Sequence, residues 1–73
     1  MFKCNLRILM AINKIDNITD LMEISGLSRN AINRLYKEIE LGKTTMETLV
    51  KLCDIFKCNL NDLFEYIPEE KEE

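Results

Sequence analysis

Between Asn30 and Ile39 two stripes interleave at helical spacing, and no other feature of the chain constrains its fold as tightly. Ile32, Leu35, Tyr36 and Ile39 fall at i, i+3, i+4 and i+7, the period of one apolar helix face. Asn30, Asn33, Arg34 and Lys37 repeat that spacing on another face, with no acid among them. The pattern predicts a helix that docks through one side and displays amides and cations on the other. Asn and Arg carry the donor–acceptor geometry that hydrogen-bonds base edges in a DNA major groove. Asn inside a helix costs roughly 0.5 kcal/mol relative to Ala, so two on one face weigh against a merely solvated surface.

The preceding residues predict how that helix is approached. Ile18-Thr19-Asp20-Leu21 reads as a helix start, with Thr19 as N-cap, Ile18 just outside it, and Asp20 and Glu23 near the positive end of the dipole. Leu21, Met22 and Ile24 supply its apolar contacts. Gly26 can take the left-handed conformation of a tight helix exit. Leu27 is spaced to plug the corner, and Ser28 is a good N-cap for a helix beginning at Arg29. A short helix, a glycine turn and a capped second helix with a polar outer face make a helix-turn-helix.

The run Thr19-Asp20-Leu21-Met22-Glu23-Ile24-Ser25-Gly26-Leu27-Ser28-Arg29-Asn30-Ala31-Ile32 resembles the helix-turn-helix of Cro- and phage-repressor-like regulators, the XRE-type family. Flanking pieces extend the likeness from roughly Lys3 to Pro68: Lys3-Cys4-Asn5-Leu6 and Leu9-Met10 upstream, Thr48-Leu49, Lys51-Leu52-Cys53 and Asp62-Leu63 downstream. The resemblance implies an all-α fold, a compact four- to five-helix bundle of lambda-repressor-like DNA-binding type, with the third helix reading DNA. By position, Arg29, Asn30, Asn33 and Arg34 would then meet base edges. Ser28 and Lys37 would hold phosphate, as would Lys43 and Thr44 if the following loop turns back. Two features depart from the family pattern. Met22 stands where a small residue is usual, and Lys37-Glu38-Ile39-Glu40-Leu41 continues in helical style, so a long recognition helix running toward Gly42 is expected.

Seventy-three residues allow one small core, and a hydrophobic content of 47% suffices to build it. We expect one domain over residues 1–68, followed by a disordered acidic tail at 69–73. Ten basic and thirteen acidic residues give a net charge of −3. The last five residues, four acids and one lysine, account for all of it, leaving nine against nine before them. Binding to DNA through a local patch should therefore be salt-sensitive. Cys4, Cys53 and Cys58 are an odd number without a histidine in the chain, which favours reduced thiols over a metal or disulfide role. Catalysis is poorly supplied, with no histidine, no glycine-rich phosphate loop and no acid pair in apolar context. No cofactor or metal is expected. Without a secretory pattern or a membrane-length apolar run, a cytoplasmic location with no membrane association is the expectation.

Elsewhere, Asn5 is expected to cap a helix over Leu6–Asn13 whose apolar residues fall in two stripes, Leu6, Leu9, Met10 and Ile8, Ile12, Ile15. Thr44 with Glu47 reads as a capping box for a helix reaching Phe56, burying Leu49, Leu52, Cys53 and Phe56. A last short helix is expected over Asp62–Tyr66, with Pro68 as its stop. The tetrapeptide Lys-Cys-Asn-Leu occurs at 3–6 and again at 57–60; nothing else repeats, so the recurrence reads as chance, each copy being a local helix lead-in. Ile8 and Ile12, or Phe64, Tyr66 and Ile67, are candidates for a homodimer seam. These readings converge on a regulator that binds a double-stranded DNA operator as a dimer. The alternative is a protein-interaction module, an antirepressor or partner of another regulator, on the same scaffold.

Overall fold

In the computed structural model, which describes residues 1–69, the chain runs β1 (Phe2–Cys4), α1 (Leu6–Ile12), α2 (Ile18–Ser25), α3 (Arg29–Tyr36), a 3-10 turn (Leu41–Lys43), α4 (Met46–Phe56), α5 (Leu60–Leu63) and β2 (Phe64–Tyr66). Most of the expected acidic tail, residues 70–73, lies outside the described residues.

Each helix contributes one stripe to a common core. Leu6 and Met10 come from α1, Leu21 from α2, Ile32 and Leu35 from α3, Leu49, Leu52 and Phe56 from α4, and Leu63 from α5. Cys4 and Leu41 complete it, and no polar or charged residue is buried among the described residues. Of the face expected on α4, Cys53 is only half-buried. The second stripe of α1 stays outside: Ile8 and Ile12 are 59% and 67% exposed, with Ile15 half-buried.

Helix starts follow local chemistry, displaced from expectation at α2, at α4 and at α5, which begins at Leu60 and not at Asp62. Asn17, not Thr19, caps α2: its Oδ1 accepts from the backbone N–H of Asp20 at 2.8 Å. Asn in extended conformation is the stronger cap, so the helix begins two residues earlier and takes Ile18 into its first turn. Thr45, not Thr44, caps α4 by accepting from the N–H of Thr48 at 3.2 Å, and the Thr44–Glu47 box is not formed. Asn5 and Asn59, the third residues of the two Lys-Cys-Asn-Leu copies, stand at the N-caps of α1 and α5, so both copies are helix lead-ins. Asn5 lies against α5, donating its side-chain N–H to the carbonyl of Asp62 at 3.2 Å.

The long recognition helix is overturned. The N–H of Ile39 reaches back to the carbonyl of Arg34 (3.0 Å) and that of Glu38 to Leu35 (3.3 Å), while Glu38 takes φ +55°. Those two bonds are a Schellman motif, which ends α3 at Tyr36 although no glycine occupies the left-handed position. Ile39 therefore leaves the apolar face and is 52% exposed. Lys14 (φ +60°) and Lys57 (φ +55°) end α1 and α4 through the same left-handed conformation, with Ile15 and Cys58 donating five residues back to Met10 and Cys53.

The all-α expectation fails at the chain ends. Instead of a helix to Tyr66, Phe64–Tyr66 pairs antiparallel with Phe2–Cys4, in the register Phe2 with Tyr66, Lys3 with Glu65 and Cys4 with Phe64. Met1 and Ile67 exchange hydrogen bonds at 2.7 and 2.8 Å, and the N–H of Asn5 donates to the carbonyl of Leu63 at 2.8 Å. Phe2 packs on both Phe64 and Tyr66, with ring centroids 5.4 and 5.1 Å away. Aromatic cross-strand contacts between residues far apart in sequence outcompete one more turn of α5.

Candidate nucleic-acid interface

The helix-turn-helix is assembled from α2, the turn at Gly26 and α3. Gly26 adopts φ +74°, and its N–H donates to the carbonyl of Met22 at 2.8 Å. A Cβ there would meet nothing within 4 Å, so glycine serves the backbone conformation and not a close approach. Ser25 stitches the exit, its hydroxyl donating to the carbonyl of Leu21 (2.7 Å) and accepting from the N–H of Leu27 (3.1 Å). Leu27 is half-buried at the corner, and Met22 packs on the edge of the core. Ser28 caps α3, accepting from the N–H of Ala31 at 3.2 Å. That bond uses an acceptor lone pair and leaves the hydroxyl proton free to donate.

With Ile32 and Leu35 fully buried, the opposite side of α3 faces outward. Asn30, Asn33, Arg34 and Lys37 line one shallow concavity there, together with Ile39 and Glu40. Asn30 and Lys37 are exposed, Asn33 and Arg34 half-buried. The four side chains of the polar stripe thus share one surface.

The remaining expected residues are placed differently. Arg29 leans back on α2, its guanidinium donating to the hydroxyl of Thr19 at 3.2 Å. Lys43 pairs with Glu40 at 3.4 Å, both well exposed, so solvent holds the pair loosely. Thr44 does not face outward: its hydroxyl oxygen is enclosed and without a partner among the described residues. The acids beyond α3 are occupied. Glu38 turns its carboxylate to the backbone N–H of Cys4 at 3.1 Å, and Glu40 meets Lys43.

Sequence reasoning missed Thr19 as the rest for Arg29, and Ile39 and Glu40 as part of the concavity. The signal for the latter was the early end of α3, which has no sequence marker without glycine. Arg7 on α1 was also missed; its guanidinium lies over the ring of Tyr36, 5.6 Å from the centroid, bracing the last turn of α3.

All three cysteines are free thiols. Burial pushes the Cys4 thiol up to about 11, and burial with the neighbouring Cys53 raises Cys58, so both stay protonated and poorly nucleophilic. No group of three His, Cys, Asp or Glu side chains that could hold a metal occurs among the described residues. None of the described helices is long and apolar enough to cross a membrane.

A capped second helix set against the first across a glycine turn, with its amide- and cation-bearing side open, defines a helix-turn-helix DNA-binding module. Over residues 5–69 the chain matches the family model of the Cro/C1-type helix-turn-helix DNA-binding domain, and it belongs to that family. The family is a DNA-binding, regulatory module and not an enzyme fold. No curated protein and no solved structure matches the chain.

Proposed function

We propose that this protein is a sequence-specific transcriptional regulator of lambda-repressor-like type, acting as a repressor by occupying an operator. The observation that carries the reading is the shared concavity of Asn30, Asn33, Arg34 and Lys37 on the outward side of α3. In the major groove, Asn33 and Arg34 at its centre have the bidentate geometry for adenine and guanine edges. Asn30 reads alongside them. Arg29, steadied by Thr19, reaches the outermost base edge of the site. Ser28 donates its free hydroxyl proton to phosphate, and Lys37 and Lys43 supply the charge that tracks the backbone. Thr44 joins them only through a χ1 rotation that turns its enclosed hydroxyl outward. A homodimer would bind a two-fold-related site with half-sites about 34 Å apart. An origin in a bacterium, a phage or another mobile element is part of this reading.

A second reading rests on Glu40, whose carboxylate borders the concavity of an acidic protein. There the scaffold binds another regulator as an antirepressor or assembly partner.

Selection of bound sequences from random duplexes at low salt separates the two. The regulator enriches a palindrome, and Arg34→Ala lowers affinity for it by about 1–3 kcal/mol and relaxes one base pair. Absence of enrichment, or an Arg34→Ala variant that binds and discriminates as before, overturns the assignment.

A further inference from the structure

Cys53 and Cys58 sit at the joint where α4 passes into α5, and the backbone holds them together. The carbonyl of Cys53 accepts the N–H of Lys57 and also that of Cys58, the latter at 3.1 Å. Standard bond lengths then keep the two Cα atoms within about 7 Å, the limit for bridging a pair of cysteines. Lys57 stands at φ +55°, the left-handed conformation that turns the next residue back onto the last turn of the helix. The ends of α1 and α3 make the same backbone bond, from Ile15 to Met10 and from Ile39 to Arg34. Only at the end of α4 are both facing residues thiols. Both are free and half-buried, packed on the rim of the core and still open to solvent. The side chains meet as the backbones do: burial raises the Cys58 thiol most, and next come the charge of Cys53 and a thiol–thiol hydrogen bond with it. Cys4, the third cysteine, lies in the core and is 7% exposed.

We propose that Cys53 and Cys58 form a redox-active dithiol site, which a low-molecular-weight disulfide converts to an intrachain bridge that locks the joint between α4 and α5. One protein thiolate attacks the small disulfide, forming a mixed disulfide and releasing one small thiol. The second protein thiolate attacks that mixed disulfide and releases the other. The chain gives up two electrons and two protons, which end on the two small thiols. The bridge closes over Lys57, so it fixes the left-handed joint and the lead-in to α5, whose N-cap, Asn59, is the residue after Cys58. A covalent bridge suits this pair better than a metal ion: no group of three His, Cys, Asp or Glu side chains that could hold one occurs among the described residues.

The test equilibrates the full reduced chain with mixtures of reduced and oxidised glutathione, at mildly alkaline pH because raised thiols exchange slowly near neutrality. The expected product is lighter by two hydrogens per chain, with Cys4 still free. Trypsin cuts after Lys57, inside the loop, so the peptides Leu52–Lys57 and Cys58–Lys71 stay joined only where the bridge is present. Cys53→Ser should stop instead at the glutathione adduct of Cys58. Cysteines at this spacing also close in a flexible chain, so the equilibrium is repeated in urea: the folded chain should favour the bridge at least about tenfold more than the unfolded one. By linkage, the oxidised chain should then unfold at higher urea than the reduced chain. A parent that stops at glutathione adducts would overturn the proposal, as would a bridge that forms equally well in urea or one that joins Cys4. No DNA enters these measurements, so their outcome is separate from that of operator binding.

Discussion

Leu35 and Arg34 are sequence neighbours about 100° apart around α3, and they should fail in opposite ways. Leu35 is 1% exposed in the core, whereas Arg34 lines the concavity. Leu35→Ala removes three carbons from a closed site. At about 0.8 kcal/mol per buried methylene the transfer loss is roughly 2.4 kcal/mol. A residual cavity of about 60 Å³ at about 24 cal/mol per Å³ adds roughly 1.4 kcal/mol. The expected loss, about 4 kcal/mol, is large for a domain whose total stability should lie near 4–11 kcal/mol at the usual value per residue. Each kcal/mol displaces the melting temperature of so small a domain by about 4–8 °C. Circular dichroism should therefore show Leu35→Ala melting at least about 15 °C lower, or failing to fold at room temperature. Arg34→Ala should melt within a few degrees of the parent and lose affinity instead, read by fluorescence anisotropy on a selected duplex. If Leu35→Ala kept its melting temperature, or Arg34→Ala unfolded the protein and left the affinity of the folded fraction unchanged, the division of α3 into a packed and a reading side would be refuted.

Other expectations follow from single features of the structure. Lys37→Ala should weaken binding about equally on all duplexes and reduce the slope of log affinity against log salt by about one unit; an unchanged slope removes Lys37 from the phosphate contacts. Lys57 ends α4 at φ +55°, so Lys57→Gly should stabilise the fold by about 0.5–1 kcal/mol through relief of left-handed strain; a lower midpoint in urea would contradict this. Cys4 has its thiol pushed from an ordinary 9.0 to about 11 by burial, so the unfolded chain loses this proton first as pH rises. Stability from this group is intact below pH 9 and declines between 9 and 11, by about 2–3 kcal/mol in all. Urea midpoints across that range should fall more steeply for the parent than for Cys4→Ala, and parallel slopes would remove Cys4 as the cause.

The helix-turn-helix was legible because its signals are local. Ile32 and Leu35 recur at the helical period, Ser28 caps through a bond three residues away, and Gly26 is the residue that the turn conformation favours. The end of α3 escaped because Glu38, whose side chain does not favour a left-handed backbone, occupies the position where glycine would have marked the stop. The ends expected near Asn13 and at Phe56 stand, although Lys14 and Lys57 take the same conformation. The caps at Asn17 and Thr45 were misplaced by one or two residues, since Thr19, Thr44 and Thr45 offer equivalent chemistry and only the chain direction into the core selects among them. The site residues divide likewise: the stripe from Asn30 to Lys37 could be read by counting, whereas the Thr19–Arg29 contact and the enclosure of Thr44 depend on how α2 and α4 lie.

By itself, then, the order of residues determined that two helices meet across Gly26 and that the second carries amides and cations away from its packed side, because propensity, capping and periodicity act within one or two turns. The tertiary structure alone decided that the chain ends join as a ribbon, that Glu38 is drawn to Cys4, and that α3 stops at Tyr36. The first two depend on hydrogen bonds and aromatic contacts between residues 34 to 66 positions apart, whose strength is set by where the core places each partner, and the stop of α3 is what frees Glu38 to reach Cys4.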